Sequence, residues 1–183
     1  MIGISINGLE SQGMKATFKH FPGIGQVVNN THHFLAELEL SVSELNKHDW
    51  LPFKQIVENS DAIIMLSHVI LTKVDRVNPV SFSYKVVKNI IRDAWQFKGV
   101  LISDYLTMGA ADSHGLCNSS VNALNAGIDL LLISYNYEKI YDAMFCVNRA
   151  FENGALRSDM LVLRQKRLAQ GLQFYRSHPT SAH

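Results

Sequence analysis

Cysteine is scarce in this chain: Cys117 and Cys146 are the two present among 183 residues. They carry no metal-type spacing, which argues against a thiolate-held zinc site. The expectation is two buried thiols of a reducing compartment rather than a disulfide. Long apolar runs are missing too. No stretch approaches the ~18 consecutive apolar residues of a membrane-spanning helix. The opening residues, Met-Ile-Gly-Ile-Ser-Ile-Asn, lack the basic start and long apolar centre of a secretory signal, so a cytoplasmic location is expected. Charge is balanced, with 17 Lys and Arg against 16 Asp and Glu and a formal net charge of +1. No global field therefore draws the chain to nucleic acid or to a membrane surface. Low-complexity tracts, internal repeats, phosphate-cradling glycine loops and metal-ligand spacings are also lacking. No metal and no cofactor is expected.

What is present is an ordinary globular composition, 47% apolar and 18% charged, enough for one sizeable core. Residues 14–21, 61–68, 99–104 and 127–134 are apolar runs that end in polar or turn residues. Such continuous runs mark strands buried on both faces. Helical spacing occupies residues 2–12, 43–58, 83–96, 118–126, 137–152 and 159–175. Ser43 and Ser83 stand at two of these starts, where a hydroxyl can accept from an otherwise unpaired N–H. Strands alternating with helices imply βαβ units, parallel pairing and right-handed crossovers. The expected fold is α/β, with four parallel strands in chain order and helices on the outer face. A closed (β/α)8 barrel needs eight strands and about 250 residues.

The chain is read against the stretch Lys19-His20-Phe21-Pro22-Gly23-Ile24-Gly25, with Asn30-Thr31-His32 close behind. Pro22 removes a backbone donor and Gly23 permits positive φ, so the strand stops at Phe21. Lys19 and His20 then sit at the carboxyl end of a strand, where α/β folds collect ligand-contacting side chains. The loop over residues 22–40 is long enough to be functional or mobile. Asp104 closes the third strand, in Gly-Val-Leu-Ile-Ser-Asp-Tyr-Leu-Thr-Met-Gly-Ala. On pattern alone it is either a capping carboxylate or a reacting one. The row Arg157, Arg164, Lys166, Arg167 and Arg176 reads as the solvated face of the last helix, with Leu161, Leu168 and Leu172 inside.

Taken together, K-H-F-P-G-x-G followed by x-[ST]-H resembles the signature of family 3 glycoside hydrolases. The nearest branch is the bacterial β-N-acetylglucosaminidases (β-N-acetylhexosaminidases) of peptidoglycan recycling. The resemblance covers nearly the whole chain but only the second half of that family's barrel. It implies that residues 1–183 are a partial catalytic domain, the C-terminal half of a (β/α)8 barrel, and a truncated gene, a partial chain or half of a split protein would each account for the missing first half. Half a barrel has two open edges and an apolar inner face. Self-association or a complementary half-barrel is expected to cover them.

The same resemblance assigns roles. Asp104 matches the first Asp of the family's S-D-D-L-x-M-x-A motif, the nucleophile, while Tyr105 stands where the second Asp belongs. His32 matches the loop His that serves as acid/base, and Asn30 replaces the Asp that orients it. Imidazole suits that role because its unperturbed pKa is about 6.5. Lys19 and His20 match residues that bind sugar hydroxyls. His68, in Met-Leu-Ser-His-Val, resembles the family's A-H-V and is weighed between substrate binding and a structural place near the barrel mouth. Ile24 replaces a family His. Asp112-Ser113-His114 repeats a family dyad in the wrong loop and is read as coincidence. The implied substrate is a GlcNAc-containing muropeptide fragment, cleaved with retention and without cofactor. An impaired half-barrel, a binding module and a phosphorylase stay open beside that reading.

Overall fold

The computed structural model describes residues 8–12, 14–25, 36–60, 62–107, 115–134 and 136–177, the last six without side chains. Residues 8–11 form a helical turn, the described part of the helix expected over 2–12. The strands and helices follow in alternation. β1 is Thr17–Phe21 and β2 Glu37–Leu38, followed by α1, Val42–Lys47, and α2, Leu51–Asn59. β3 is Ile63–Leu66 and β4 Ile70–Leu71; then comes α3, Lys85–Ala94, wound with wide π-type bonds. β5 is Leu101–Tyr105, α4 Leu116–Ala126, β6 Leu130–Leu132, α5 Glu138–Glu152 and α6 Ser158–Ser177.

The main sheet has the order β1-β3-β5-β6. Every neighbouring pair is parallel, with Thr17 opposite Ile63, Ile64 opposite Leu101 and Ile102 opposite Leu130. This is the chain-order sheet that the apolar runs predict. The strands are shorter than those runs because the flanking residues have other work. Gly127 ends α4 at φ +111°, and its N–H and that of Ile128 both donate to the Ala123 carbonyl. Glycine reaches that conformation without the Cβ penalty. Asp129 gives its carboxylate to Arg92, Arg167 and the Leu101 N–H, and its own N–H donates to the Leu101 carbonyl, just before β6 begins.

Aromatic side chains pin the helices after β1 to the sheet. Phe21 stacks on Trp50 at 5.6 Å and meets Phe53 and Trp95 edge-on at 5.1 and 5.7 Å. Phe21 and Trp50 are fully buried. Edge-to-face and offset rings of this kind stabilise beyond their buried area.

Four expectations need correction. The single helix expected over 43–58 is two helices. Ser41, not Ser43, caps α1 in a capping box with Glu44, and Pro52 falls in the first turn of α2, where its missing N–H breaks no helical bond. Part of the long first loop is a strand: β2 pairs in parallel with β4. Cys117 and Cys146 are not buried thiols. Cys117 is exposed, and the two form a disulfide with Cα atoms 5.2 Å apart, because α4 and α5 pack side by side. Finally, the basic row of α6 is not all solvated. Arg164 is buried, and its guanidinium donates to the carbonyls of Ile128 (3.0 Å) and Leu124 (2.8 Å). These carbonyls, one in the last turn of α4 and one just past its end, draw it inward.

Candidate active site

Parallel strands present all their carboxyl ends on one side, and β1, β3 and β5 bring three candidate residues there. β3 stops at Leu66, and Ser67 turns back onto β1, donating both its N–H (2.9 Å) and its hydroxyl (3.0 Å) to the Phe21 carbonyl. Next-nearest strands lie about 10 Å apart, so side chains from β1 and β5 can meet over the end of β3. His20 and Asp104 do so, with Nε2 3.8 Å from Oδ2. That is an electrostatic contact, longer than a hydrogen bond. The two side chains are 27% and 13% exposed, so a ligand can reach both. The other Asp104 oxygen, Oδ1, accepts from the Tyr105 N–H at 2.9 Å. That bond holds the carboxylate at the strand end and leaves Oδ2 facing His20.

His68 lies beneath this pair and is buried. Its Nε2 is 3.1 Å from the Tyr105 carbonyl, and its Nδ1 is 2.7 Å from the Ser81 hydroxyl. A carbonyl can only accept, so Nε2 carries the proton and Nδ1 accepts from Ser81. Burial pushes the His68 pKa below its ordinary value, against the opposing pull of the Tyr105 carbonyl and Asp104. The ring is therefore neutral and committed at both nitrogens. It ties the segment after β3 to the peptide that follows Asp104.

A second buried carboxylate supports the loop that carries Ser81. Asp75 accepts from the Ser83 hydroxyl at 2.7 Å and from the N–H groups of Val77 and Asn78 at 3.2 and 3.3 Å. Burial raises its pKa, but the hydrogen bonds from Ser83, Asn78 and the backbone outweigh that and hold it below the usual value. Ser83 in turn accepts from the Val86 N–H, as expected for the start of α3.

Of the sequence-derived site residues, the structure thus brings together His20, Asp104 and, through Tyr105, His68. Lys19 is exposed on β1 beside His20. Asn30, His32 and the Asp112-Ser113-His114 run lie outside the described residues. Ser67 and Ser81 were not legible as site-supporting residues, since isolated serines carry no periodic signal. Among the described residues, no cluster of His, Cys, Asp or Glu could hold a metal ion, and no helix is long and apolar enough to cross a membrane.

Comparison with known proteins gives consistent matches. The family model described as Glycosyl hydrolase family 3 N terminal domain matches residues 1–170. A β-hexosaminidase of Nitrosomonas eutropha is 36% identical over 129 residues, 70% of this chain and 37% of the relative. Another, of Stenotrophomonas maltophilia, is 33% identical over 153 residues, 82% of this chain and 45% of the relative. The chain thus spans less than half the length of these curated relatives. Among solved structures, a family 3 β-N-acetylglucosaminidase of Paenibacillus sp. str. FPU-7 superposes with a TM-score of 0.90 at 27% identity, over 99% of this chain and 34% of its own. The β-N-acetylglucosaminidase of Thermotoga maritima shares the fold, with a TM-score of 0.85 at 24% identity over 93% of this chain and 37% of its own. Against these larger domains the open four-stranded sheet is a partial barrel.

Proposed function

Because this chain belongs to glycosyl hydrolase family 3, we propose that it carries the reacting end of a retaining β-N-acetylhexosaminidase, with residues 1–183 as part of one catalytic domain. The observation that carries the reading is the Asp104–His20 contact at the carboxyl end of the sheet. A carboxylate there, held by one oxygen and facing His20 with the other, is placed to attack an anomeric carbon. In the proposed reaction an Asp104 oxygen bonds to that carbon as the glycosidic C–O bond breaks. His32 gives its proton to the leaving oxygen. Water, deprotonated by the same imidazole, then displaces Asp104 with net retention. Asn30 can orient His32 but brings no charge to favour imidazolium. Lys19 and His20 offer donors to sugar hydroxyls, and His68 serves as a positioning residue through Tyr105. The proposed substrate is a terminal β-linked GlcNAc of a peptidoglycan-derived muropeptide fragment, handled in the cytoplasm.

A second reading rests on the sheet itself. β1 and β6 are its edges, and neither has an outer strand partner among the described residues. α5, packed on α4, exposes Tyr141, Met144 and Phe145, and Tyr137 just before it is exposed too. Open edges and an exposed apolar patch both call for a cover. A complementary half-barrel or a second copy would supply it, and the 183-residue chain alone would then be an impaired enzyme or a binding module.

Hydrolysis of 4-nitrophenyl β-N-acetylglucosaminide separates these readings. The expected rate for the chain alone is low, since general acid/base help worth about 10²–10⁴-fold is weakened by Asn30. Asp104→Ala should abolish whatever rate there is, and Asn30→Asp should raise it. Turnover that is insensitive to Asp104→Ala would place the nucleophile elsewhere. Robust turnover that requires Asp104 would refute the impaired-enzyme reading.

A further inference from the structure

At the opposite end of the sheet, below the amino termini of β5 and β6, two adjoining cavities of about 300 and 400 Å³ share Lys98, Arg167 and Gln170. Gly99 and Val100 lead from there into β5, whose far end carries Asp104. Five strand residues at roughly 3.3 Å each separate the two ends, so this cleft is distinct from the candidate active site.

Its charge is out of balance. Three guanidinium groups, Arg92, Arg164 and Arg167, gather near one carboxylate, Asp129. Arg92 Nη2 and Arg167 Nη2 meet it at 2.5 and 2.7 Å, and Arg164 bonds only main-chain carbonyls. The Arg92 side chain is 9% exposed, and its Nε is buried without a partner. The Arg92 pKa is pushed down to about 10, mainly by burial, with Asp129 opposing and Arg167 and Arg164 repelling. Uncompensated charge in a low-dielectric site is costly. At the mouth, Lys88 is paired with Asp93, but Lys98 and Lys166 add two further cations and both are exposed. Phe97, Met160 and Leu163 form an apolar wall on the same cavity.

We propose that this cleft binds a small organic phosphate ester, its dianion held by Lys98, Lys166 and Arg167 and its organic part lying against Phe97 and Leu163. Guanidinium and ammonium groups together favour phosphate oxygens through charge-assisted bonds. A dianion would supply the negative charge that a single carboxylate leaves wanting. The apolar wall favours an ester over inorganic phosphate. This inference is independent of the proposed hydrolase activity, because none of the residues used takes part in it.

The test is isothermal titration of the 183-residue chain with phenyl phosphate, with inorganic phosphate and with phenol as the neutral control. Saturable binding is expected for phenyl phosphate, weaker binding for inorganic phosphate and none for phenol. Lys98→Gln with Lys166→Gln should raise the phenyl phosphate Kd by at least about tenfold, two charge-assisted contacts being lost. Lys98→Gln alone, at an exposed position, serves if the double variant does not fold, with a smaller shift in the same direction. No saturable binding, or unchanged affinity in the variants, would overturn the site. Inorganic phosphate bound as tightly as the ester would overturn the assignment of ligand class.

Discussion

Asp129 is the residue whose loss should be felt most at the lower end of the sheet. Its side chain is fully buried and accepts from Arg92, Arg167 and the Leu101 N–H, the last at 2.8 Å. Asp129→Asn keeps the shape and an acceptor for Leu101. It removes the one carboxylate facing the guanidinium groups and turns an NH₂ toward one of them. At about 4 Å and an effective dielectric of about 20, each ion pair is worth roughly 4 kcal/mol of Coulomb energy, before desolvation is subtracted. Repulsion between Arg92 and Arg167 then goes unopposed, and Arg92 is too buried to rehydrate in place. Breaking a buried pair on one side typically costs about 3–5 kcal/mol, and that is the expected loss here. For a chain of this size it lowers Tm by roughly 6–20 °C, at about 2–4 °C per kcal/mol. The control is Lys88→Ala, which breaks a pair whose side chains are 29% and 54% exposed and should cost less than about 1 kcal/mol. Urea unfolding followed by tryptophan fluorescence reads both. An Asp129→Asn loss within about 1 kcal/mol of the Lys88→Ala loss would refute the claim that this carboxylate holds the cluster together.

Three further outcomes follow from the packing. Phe21→Ala, which removes the ring shared by Trp50, Phe53 and Trp95, should cost about 3–5 kcal/mol in chemical unfolding; a loss under about 1 kcal/mol would mean the aromatic cluster does not anchor β1. Gly127→Ala should lose at least about 1–2 kcal/mol, because φ is +111° and the new Cβ would lie 3.2 Å from Val87 Cγ1, and an unchanged Tm would count against it. Burial holds the folded His68 pKa below its ordinary value of about 6.5, so between the two values the unfolded chain binds more protons. Its contribution is whole above about 6.5 and is lost as pH falls toward the folded value. The stability difference between wild type and His68→Asn should therefore shrink on acidification through that range, and a difference independent of pH would refute the buried neutral assignment.

Local pattern was enough for the order and direction of the main sheet. Each apolar run sits between turn residues, and a strand that returns after a helix must be parallel to the one before. The same locality put Lys19 and His20 at a carboxyl end, because Pro22 stops β1 whatever surrounds it, and Asp104 at another, because it follows the apolar run of β5. It was not enough for the break before Pro52, because Leu45, Phe53, Ile56 and Val57 keep helical spacing across it, and Ser43 drew the helix start two residues too late. Contacts between elements far apart in the chain had no such signal. The 3.8 Å approach of His20 to Asp104 spans 84 positions and exists because β3 ends early enough for side chains to meet above it. The Cys117–Cys146 bridge depends on which faces of α4 and α5 meet, and two cysteines 29 apart say nothing of that. Arg164 and Arg167 lie in a row that reads as solvated, yet Asp129 and the carbonyls of Leu124 and Ile128 give them buried partners. Charge looks outward in a sequence, and only the tertiary structure shows where a counter-charge waits inside.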